Sequence, residues 1–113
     1  MRDGIPVLRP LRKGEFEIFF VSKRVQKDWL DLLAFRRNQV VDAWDTLAST
    51  PCQTTRLNYQ LQGSLSVIIK SGVEYSLWQL KLNERDGSRI WYFMDDNHVY
   101  IEEIHTSHPN QTK

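Results

Sequence analysis

Side chains that act on phosphate esters lie close together near the end of this 113-residue chain. Arg89 begins the aromatic segment Ile90–Phe93, and His105 and His108 follow the next apolar segment. The planar guanidinium of an arginine donates two parallel hydrogen bonds to phosphate oxygens. Imidazole has an unperturbed pKa of about 6.5, so it gives or takes a proton near neutral pH. The pattern predicts a phosphate-binding group beside a proton-transfer group on neighbouring strands.

A third candidate, Lys81, comes from the preceding segment. Two sets of residues alternate there: Trp78, Leu80 and Leu82 in one, and Leu77, Gln79 and Lys81 in the other. Alternate side chains of a strand point to opposite faces of the sheet. If the first set packs in the core, Lys81 points to the open face, where it adds a point charge or acts as a base. The alternative is an ordinary solvated strand residue.

The arginines have structural alternatives that the sequence leaves open. Arg89 is able to pair with Glu102 or Glu103 across the sheet, and it would then be a surface ion-pair partner rather than a phosphate clamp. Arg85 lies in the turn before Arg89 and is a possible additional phosphate contact, although a generic exposed arginine is the plainer interpretation.

Several roles also remain open for the last strand and the residues after it. His105 either shares the site or closes the end of the strand, and His108 is either an acid–base group or a solvated residue of the tail. Glu103 or Glu102 is a general base, orients His108, or stays solvated. A zinc site made of His105, His108 and Glu102 is a weak alternative, because His-x-x-His is a poor signal without cysteine partners. Neither a metal nor another cofactor is expected.

Composition limits the class of protein. The length suits one domain, and 41% apolar residues suffice for a packed core. The single cysteine, Cys52, excludes an internal disulfide. No signal peptide or membrane-spanning run is recognisable, which favours a cytoplasmic protein without a membrane partner. A net charge of +1 is low for a nucleic-acid-binding protein, so any RNA contact has to rest on a local cluster of cations.

Apolar periodicity predicts an α+β fold that begins with an irregular basic arm, residues 1–14, followed by a single domain, residues 15–113. Residues 15–21 alternate as a strand, and Ser22 is a suitable N-cap for the helical residues that follow. Apolar stripes at residues 25–33 and 40–48 predict a helical hairpin, with one long bent helix as the alternative.

The second half of the chain has the character of β-structure. Strands are predicted at Leu65–Lys70, Tyr75–Leu82, Arg89–Met94 and Val99–His105, with turns at Asp86–Gly87 and Asp95–Asn97. The expected architecture is therefore an N-terminal strand, a helical hairpin and an antiparallel β-meander that forms a small twisted sheet with the helices packed on one face.

Three segments follow one another in an order that is found in a known family. They are Trp78–Lys81 before a turn, Arg89–Tyr92 after it, and the ending His105–Lys113. With the order of the elements, they make the chain from Glu15 onward resemble the RelE/ParE toxin superfamily, most nearly the RNA-cleaving branch that includes RelE, HigB and YoeB. The resemblance implies a type II toxin that cuts mRNA in the ribosomal A site without a metal and is silenced by a cognate antitoxin.

The resemblance also implies roles for individual residues. The family places a lysine on the strand before the turn, an arginine on the strand after it, and an arginine or histidine in the loop after the last strand. Lys81, Arg89 and His108 match these positions, and Gln79 stands where some relatives carry a second lysine. These residues are expected to hold the phosphate and to move the protons of an endoribonuclease reaction.

A second class of toxin remains open. The ParE branch shares the fold, but its members inhibit DNA gyrase, do not cut RNA, and generally lack the catalytic histidine and lysine. The set Lys81, Arg89 and His108 favours the endoribonuclease, whereas the low net charge favours the gyrase inhibitor. The prediction is a translation-inhibiting mRNA endoribonuclease that works on the ribosome, with gyrase inhibition as the alternative.

Overall fold

The computed structural model describes residues 5, 7–85 and 87–106, so Asp86 of the predicted turn and His108 of the predicted site lie outside the described residues. The elements in chain order are β1 (Glu17–Phe20), α1 (Lys23–Phe35), α2 (Arg37–Ser49), β2 (Asn58–Gln60), β3 (Val67–Lys70), β4 (Val73–Ser76), β5 (Trp78–Lys81), β6 (Arg89–Asp95) and β7 (His98–His105). Within this part of the chain, no helix is both long enough and apolar enough to cross a bilayer.

The main sheet has five strands in the order β1-β7-β6-β5-β2. Strands β5, β6 and β7 form the predicted antiparallel meander, and β2 adds to β5 in antiparallel direction. β1 runs parallel to β7. Parallel neighbours need a long crossover, and here the helices and the later strands lie between them in the chain. The predicted α+β class and element order are confirmed.

The two helices form a hairpin rather than one bent helix. Ser22 is the N-cap of α1, and its hydroxyl oxygen accepts a hydrogen bond from the Val25 backbone N–H at 3.2 Å. Arg36, with a φ of −132°, separates the helices, while its own backbone N–H still bonds to the Leu32 carbonyl oxygen at 2.8 Å. The break is therefore made by one non-helical residue, without glycine or proline.

One face of the main sheet packs against both helices. The buried core is formed by Val25, Trp29 and Leu32 of α1, by Val40, Ala43 and Leu47 of α2, and by Trp78, Leu80, Leu82, Ile90, Tyr92, Val99 and Ile101 of the sheet and its flanks. The predicted core face of the Trp78–Leu82 segment is confirmed. Lys81, which alternates with these residues, lies on the other face of the sheet.

The prediction of one strand from Tyr75 to Leu82 is wrong, because the strand is interrupted at Leu77. The Leu77 N–H bonds to the Ser66 carbonyl oxygen, and the Leu77 carbonyl oxygen accepts from the Leu61 N–H, both at 2.9 Å. The preceding residues form β4, which pairs with β3 in a separate two-stranded sheet. Ser71 and Gly72 join them with positive φ angles of 52° and 80°, as a type I′ turn requires.

Strand β2 falls within residues 52–64, a polar stretch in which the sequence predicts no strand. Its first residue, Asn58, is only 1% exposed. The Asn58 side-chain amide donates to the carbonyl oxygens of Pro51 and Gln53 at 3.1 and 2.9 Å. Burial of Asn58 depends on hydrogen bonds to the loop that precedes it and not on an apolar side chain, so no apolar alternation predicts the strand.

The β3–β4 hairpin covers part of the sheet face that lies opposite the helices. The Tyr75 ring lies 4.9 Å from the Phe93 ring, and Lys70 Nζ lies 3.1 Å from the Glu102 carboxylate. Phe93 is buried as a result. The remaining part of this face, around Lys81 and Arg89, is termed the open face below.

Candidate functional site

Three of the predicted site residues lie side by side on the open face. Lys81 on β5 is directly opposite Arg89 on β6, and Arg89 is directly opposite His105 on β7. Residues that face each other across neighbouring strands project on the same side of a sheet. Since strands are about 4.8 Å apart, the row spans roughly 10 Å. All three side chains are partly exposed.

An extra residue in β7 adds acidic side chains beside this row. Trp91 is opposite Glu103, whereas the next residue, Tyr92, is opposite Ile101, so Glu102 is inserted as a β-bulge. Glu102 accepts a hydrogen bond from Lys70 of the hairpin at 3.1 Å. This predicted candidate therefore holds the hairpin, and Glu103 stays beside the row.

Among the described residues, Arg89 is held by a bond to the backbone. Its Nη1 donates to the Gly87 carbonyl oxygen at 2.8 Å. The predicted alternative, an ion pair with Glu102 or Glu103, is wrong for the structure described, because those carboxylates contact Lys70 and His105 instead. A bond to a neutral carbonyl positions the guanidinium without neutralising its charge, and a guanidinium carries five N–H donors, so it has the capacity to bind an anion as well.

His105 lies within the row. Its Nε2 is 3.0 Å from Glu103 Oε1, and its ring centroid is 4.4 Å from that of Trp91. The Glu103 carboxylate and the Trp91 ring together limit the orientations that are open to the His105 imidazole. Of the two histidines that the sequence singles out, the described residues place His105 beside Arg89, and His108 lies outside them.

Gln79 connects the site to a residue that the sequence did not single out. Trp91 Nε1 donates to Gln79 Oε1, and Gln79 Nε2 donates to the hydroxyl of Tyr59, both at 2.8 Å. Tyr59 is the middle residue of β2, and Lys81 Nζ lies 5.9 Å from its ring centroid. Tyr59 was missed because β2 itself was missed. A tyrosine flanked by polar residues gives no periodic signal.

Arg85 lies apart from the row. It belongs to the connection between β5 and β6 and is exposed. Its backbone N–H donates to Asn83 Oδ1 at 2.8 Å, which shapes the turn, while nearby Glu84 pairs with Arg56 at 2.8 Å. The structure thus places Arg85 in the turn between β5 and β6 and not on either strand of the row.

A cleft of about 600 Å³ adjoins the His105 end of the row. It lies between the start of α1 and the bulged part of β7, and its lining carries both signs of charge: Arg24, Asp28, Lys70, Glu102, Glu103 and His105. Its volume is within the range of about 300–1,000 Å³ that is usual for ligand pockets. An extended ligand bound over Arg89 therefore has room to continue into this cleft past His105.

The chain matches no protein-family model, no curated protein and no solved structure.

Proposed function

We propose that this protein is the toxin of a type II toxin–antitoxin system and a metal-independent mRNA endoribonuclease that works on the ribosome in the cytoplasm. The observation that carries the proposal is the row Lys81, Arg89 and His105 on the open face. Two cations and an imidazole within roughly 10 Å match the size of one phosphodiester with its riboses. The resemblance of the sequence to RNA-cleaving RelE/ParE toxins agrees with this chemistry.

The reaction needs three events, and the row together with the adjacent Glu103 has a group for each. The substrate's own 2′-hydroxyl passes its proton to the Glu103 carboxylate and attacks the neighbouring phosphorus. Arg89, with Lys81 beside it, stabilises the negative charge that develops on the phosphorane oxygens. The departing 5′-oxygen then takes a proton from an imidazole. The products are a 2′,3′-cyclic phosphate and a 5′-hydroxyl end.

The distribution of charge favours a substrate that is positioned by the ribosome. Several cations outside the row are neutralised within the chain: Arg9 by Glu15, Arg56 by Glu84 and Lys70 by Glu102. With a net charge of +1, little attraction remains for free RNA. We therefore assign orientation of the mRNA to the ribosome and the chemistry to the row.

A cognate antitoxin is the expected protein partner. Apolar side chains stay exposed on the helical side, at Leu30, Phe35 and Val41, and on the β3–β4 hairpin, at Val67, Ile69 and Val73. An apolar antitoxin segment would bury such residues. The basic arm, residues 1–14, is a further candidate contact for the antitoxin. There Arg9 already pairs with Glu15 at 3.1 Å and lies 4.8 Å from the Trp44 ring.

The proposal predicts a specific product in translating extracts. Purified protein should cut mRNA within codons on the ribosome and leave 2′,3′-cyclic or 3′-phosphate ends, because the attacking group is the RNA's 2′-hydroxyl. A 2′-deoxy nucleotide at the cleavage position should block the cut. Mapping of mRNA ends by primer extension, with chemical analysis of the 3′ end, measures both results.

Two outcomes would contradict this prediction. Cleavage that leaves 3′-hydroxyl ends would show that water, and not the 2′-hydroxyl, attacks the phosphorus. Intact mRNA and continued translation, with DNA damage and filamentation of expressing cells, would instead support the gyrase-inhibiting alternative.

A further prediction concerns the proton donor. We expect His105→Ala or His108→Ala, but not both, to remove one arm of the pH–rate profile, since one imidazole protonates the leaving oxygen. His98→Ala is the control, because His98 contacts Glu17 at 3.3 Å, away from the row. The measurement is single-turnover cleavage across pH. Retention of both arms in both variants would exclude a histidine from the proton step.

A further inference from the structure

Tyr59 takes part in a hydrogen-bond chain whose direction is determined by chemistry. The indole N–H of Trp91 is a donor only, so the Gln79 atom 2.8 Å from it has to be the amide oxygen. The Gln79 amide nitrogen therefore faces Tyr59 and donates to its hydroxyl oxygen at 2.8 Å. Gln79 is only 8% exposed, so water does not readily replace either of the two hydrogen-bond partners of its side-chain amide.

This direction determines what Tyr59 is able to do. Because its oxygen accepts from Gln79, its own proton is not used in that bond and is directed elsewhere. Tyr59 is partly exposed, and Lys81 Nζ lies 5.9 Å from its ring centroid. The hydroxyl is thus an O–H donor whose proton Gln79 does not use, on a ring that lies against a cation of the row.

We propose that Tyr59 is an RNA-binding residue that donates its hydroxyl proton to a phosphate oxygen of the nucleotide next to the scissile phosphate. The inference rests on the proposed function and extends the site across four strands, from His105 on β7 to Tyr59 on the edge strand β2. In this arrangement Arg89 holds the scissile phosphate and Lys81 lies between the two phosphates. Gln79, which is itself bonded to Trp91, positions the Tyr59 hydroxyl.

Binding of a non-cleavable ligand tests the inference separately from catalysis. The probe is a short single-stranded 2′-deoxy oligonucleotide, titrated at low salt, where phosphate contacts are strongest and weak binding by a protein of low net charge is measurable, while the indole N–H resonance of Trp91 is followed by NMR. Tyr59→Phe should weaken binding about tenfold or more, the scale of one hydrogen bond to a charged group. Tyr100→Phe is the matched control, since Tyr100 stacks between Phe19 and Phe93, away from the row.

A second variant tests the direction of the proton. In Gln79→Glu, a carboxylate accepts from both Trp91 and Tyr59, so the Tyr59 proton turns inward and is withdrawn from the ligand. The variant should bind at least as weakly as Tyr59→Phe. In the Tyr59→Phe background, the same change should have a clearly smaller effect, because only repulsion by its charge remains.

The outcomes separate this inference from the proposed function. Two results together support Tyr59 as a ligand contact even if no RNA is cut. Tyr59→Phe binds the oligonucleotide more weakly, and Gln79→Glu weakens binding less in the Tyr59→Phe background than in the wild type. Unchanged affinity of a folded Tyr59→Phe protein, with its Trp91 indole resonance in place, would overturn it. The inference would also be overturned if thermal melts showed that a larger unfolded fraction of Tyr59→Phe fully explains its weaker oligonucleotide binding.

Discussion

Replacement of Arg89 by alanine is expected to slow RNA cleavage about a hundredfold or more, the effect of losing one preorganised donor to a developing oxyanion. The Arg89 guanidinium is already fixed by Gly87 before substrate binds. Its bonds to phosphate oxygens strengthen as charge accumulates on the phosphorane, so the loss appears in the rate and not in substrate binding. Single-turnover cleavage on translating ribosomes measures it.

Three comparisons make the Arg89 result specific. Arg89→Lys retains the charge but loses the planar fork, so its rate should lie between those of the wild type and the alanine variant. Lys81→Ala should slow cleavage by a similar or smaller factor. Arg37→Ala removes an exposed arginine at the start of α2 and is the matched control.

The opposite result would relocate the site. Binding to ribosomes and to the antitoxin should survive Arg89→Ala, because the change removes no core packing. If Arg89→Ala cuts RNA at the wild-type rate while its unfolding temperature falls, Arg89 serves the fold through its bond to Gly87, and the phosphate is bound elsewhere.

The largest expected loss of stability comes from Asn58. Its amide donates to two loop carbonyl oxygens, and its Oδ1 accepts from the buried hydroxyl of Tyr92, which also lies 2.7 Å from the Pro51 carbonyl oxygen. Burial raises the pKa of Tyr92, so this hydroxyl stays a neutral donor. Asn58→Ala leaves the Gln53 carbonyl oxygen without this donor and opens a cavity, and should lower the free energy of unfolding by about 2–4 kcal/mol.

Urea unfolding measures the Asn58 effect. Gln60→Ala, at the exposed end of the same strand, is the matched control and should change the free energy of unfolding by less than about 0.5 kcal/mol. Tyr92→Phe should fall between the two, because it leaves Asn58 Oδ1 without its donor. An Asn58→Ala protein as stable as the control would show that water replaces the buried amide.

Local patterns in the sequence predict the parts of this protein that depend on near neighbours. Ser22 caps α1 because a serine oxygen suits the free N–H groups of a first turn. The alternation of Trp78, Leu80 and Leu82 correctly assigns Lys81 to the face away from the helices. Choosing between the hairpin and one long helix required the backbone at Arg36, which no residue type marks.

Parts that depend on distant partners were not predictable. Asn58 is buried because its side-chain oxygen accepts from the hydroxyl of Tyr92, which is 34 residues further along the chain, and Tyr59 becomes part of the site only through Gln79 on another strand. Strict alternation would also place Glu103 and His105 on the same face as Val99 and Ile101. Pairing with β6 places them on the opposite face, since Trp91 meets Glu103 and Tyr92 meets Ile101.

The inserted Glu102 divides β7 into two segments that can change independently. Before it, Val99 and Ile101 point to the helices, and after it, Ile104 does. Deletion of the inserted residue would restore a regular ladder without turning over either segment. It would remove only the carboxylate that tethers Lys70. Mutations that alter how the hairpin is anchored can thus accumulate while the alignment of Arg89 with His105 is kept, and under the proposed function partner choice and chemistry would evolve separately on one strand.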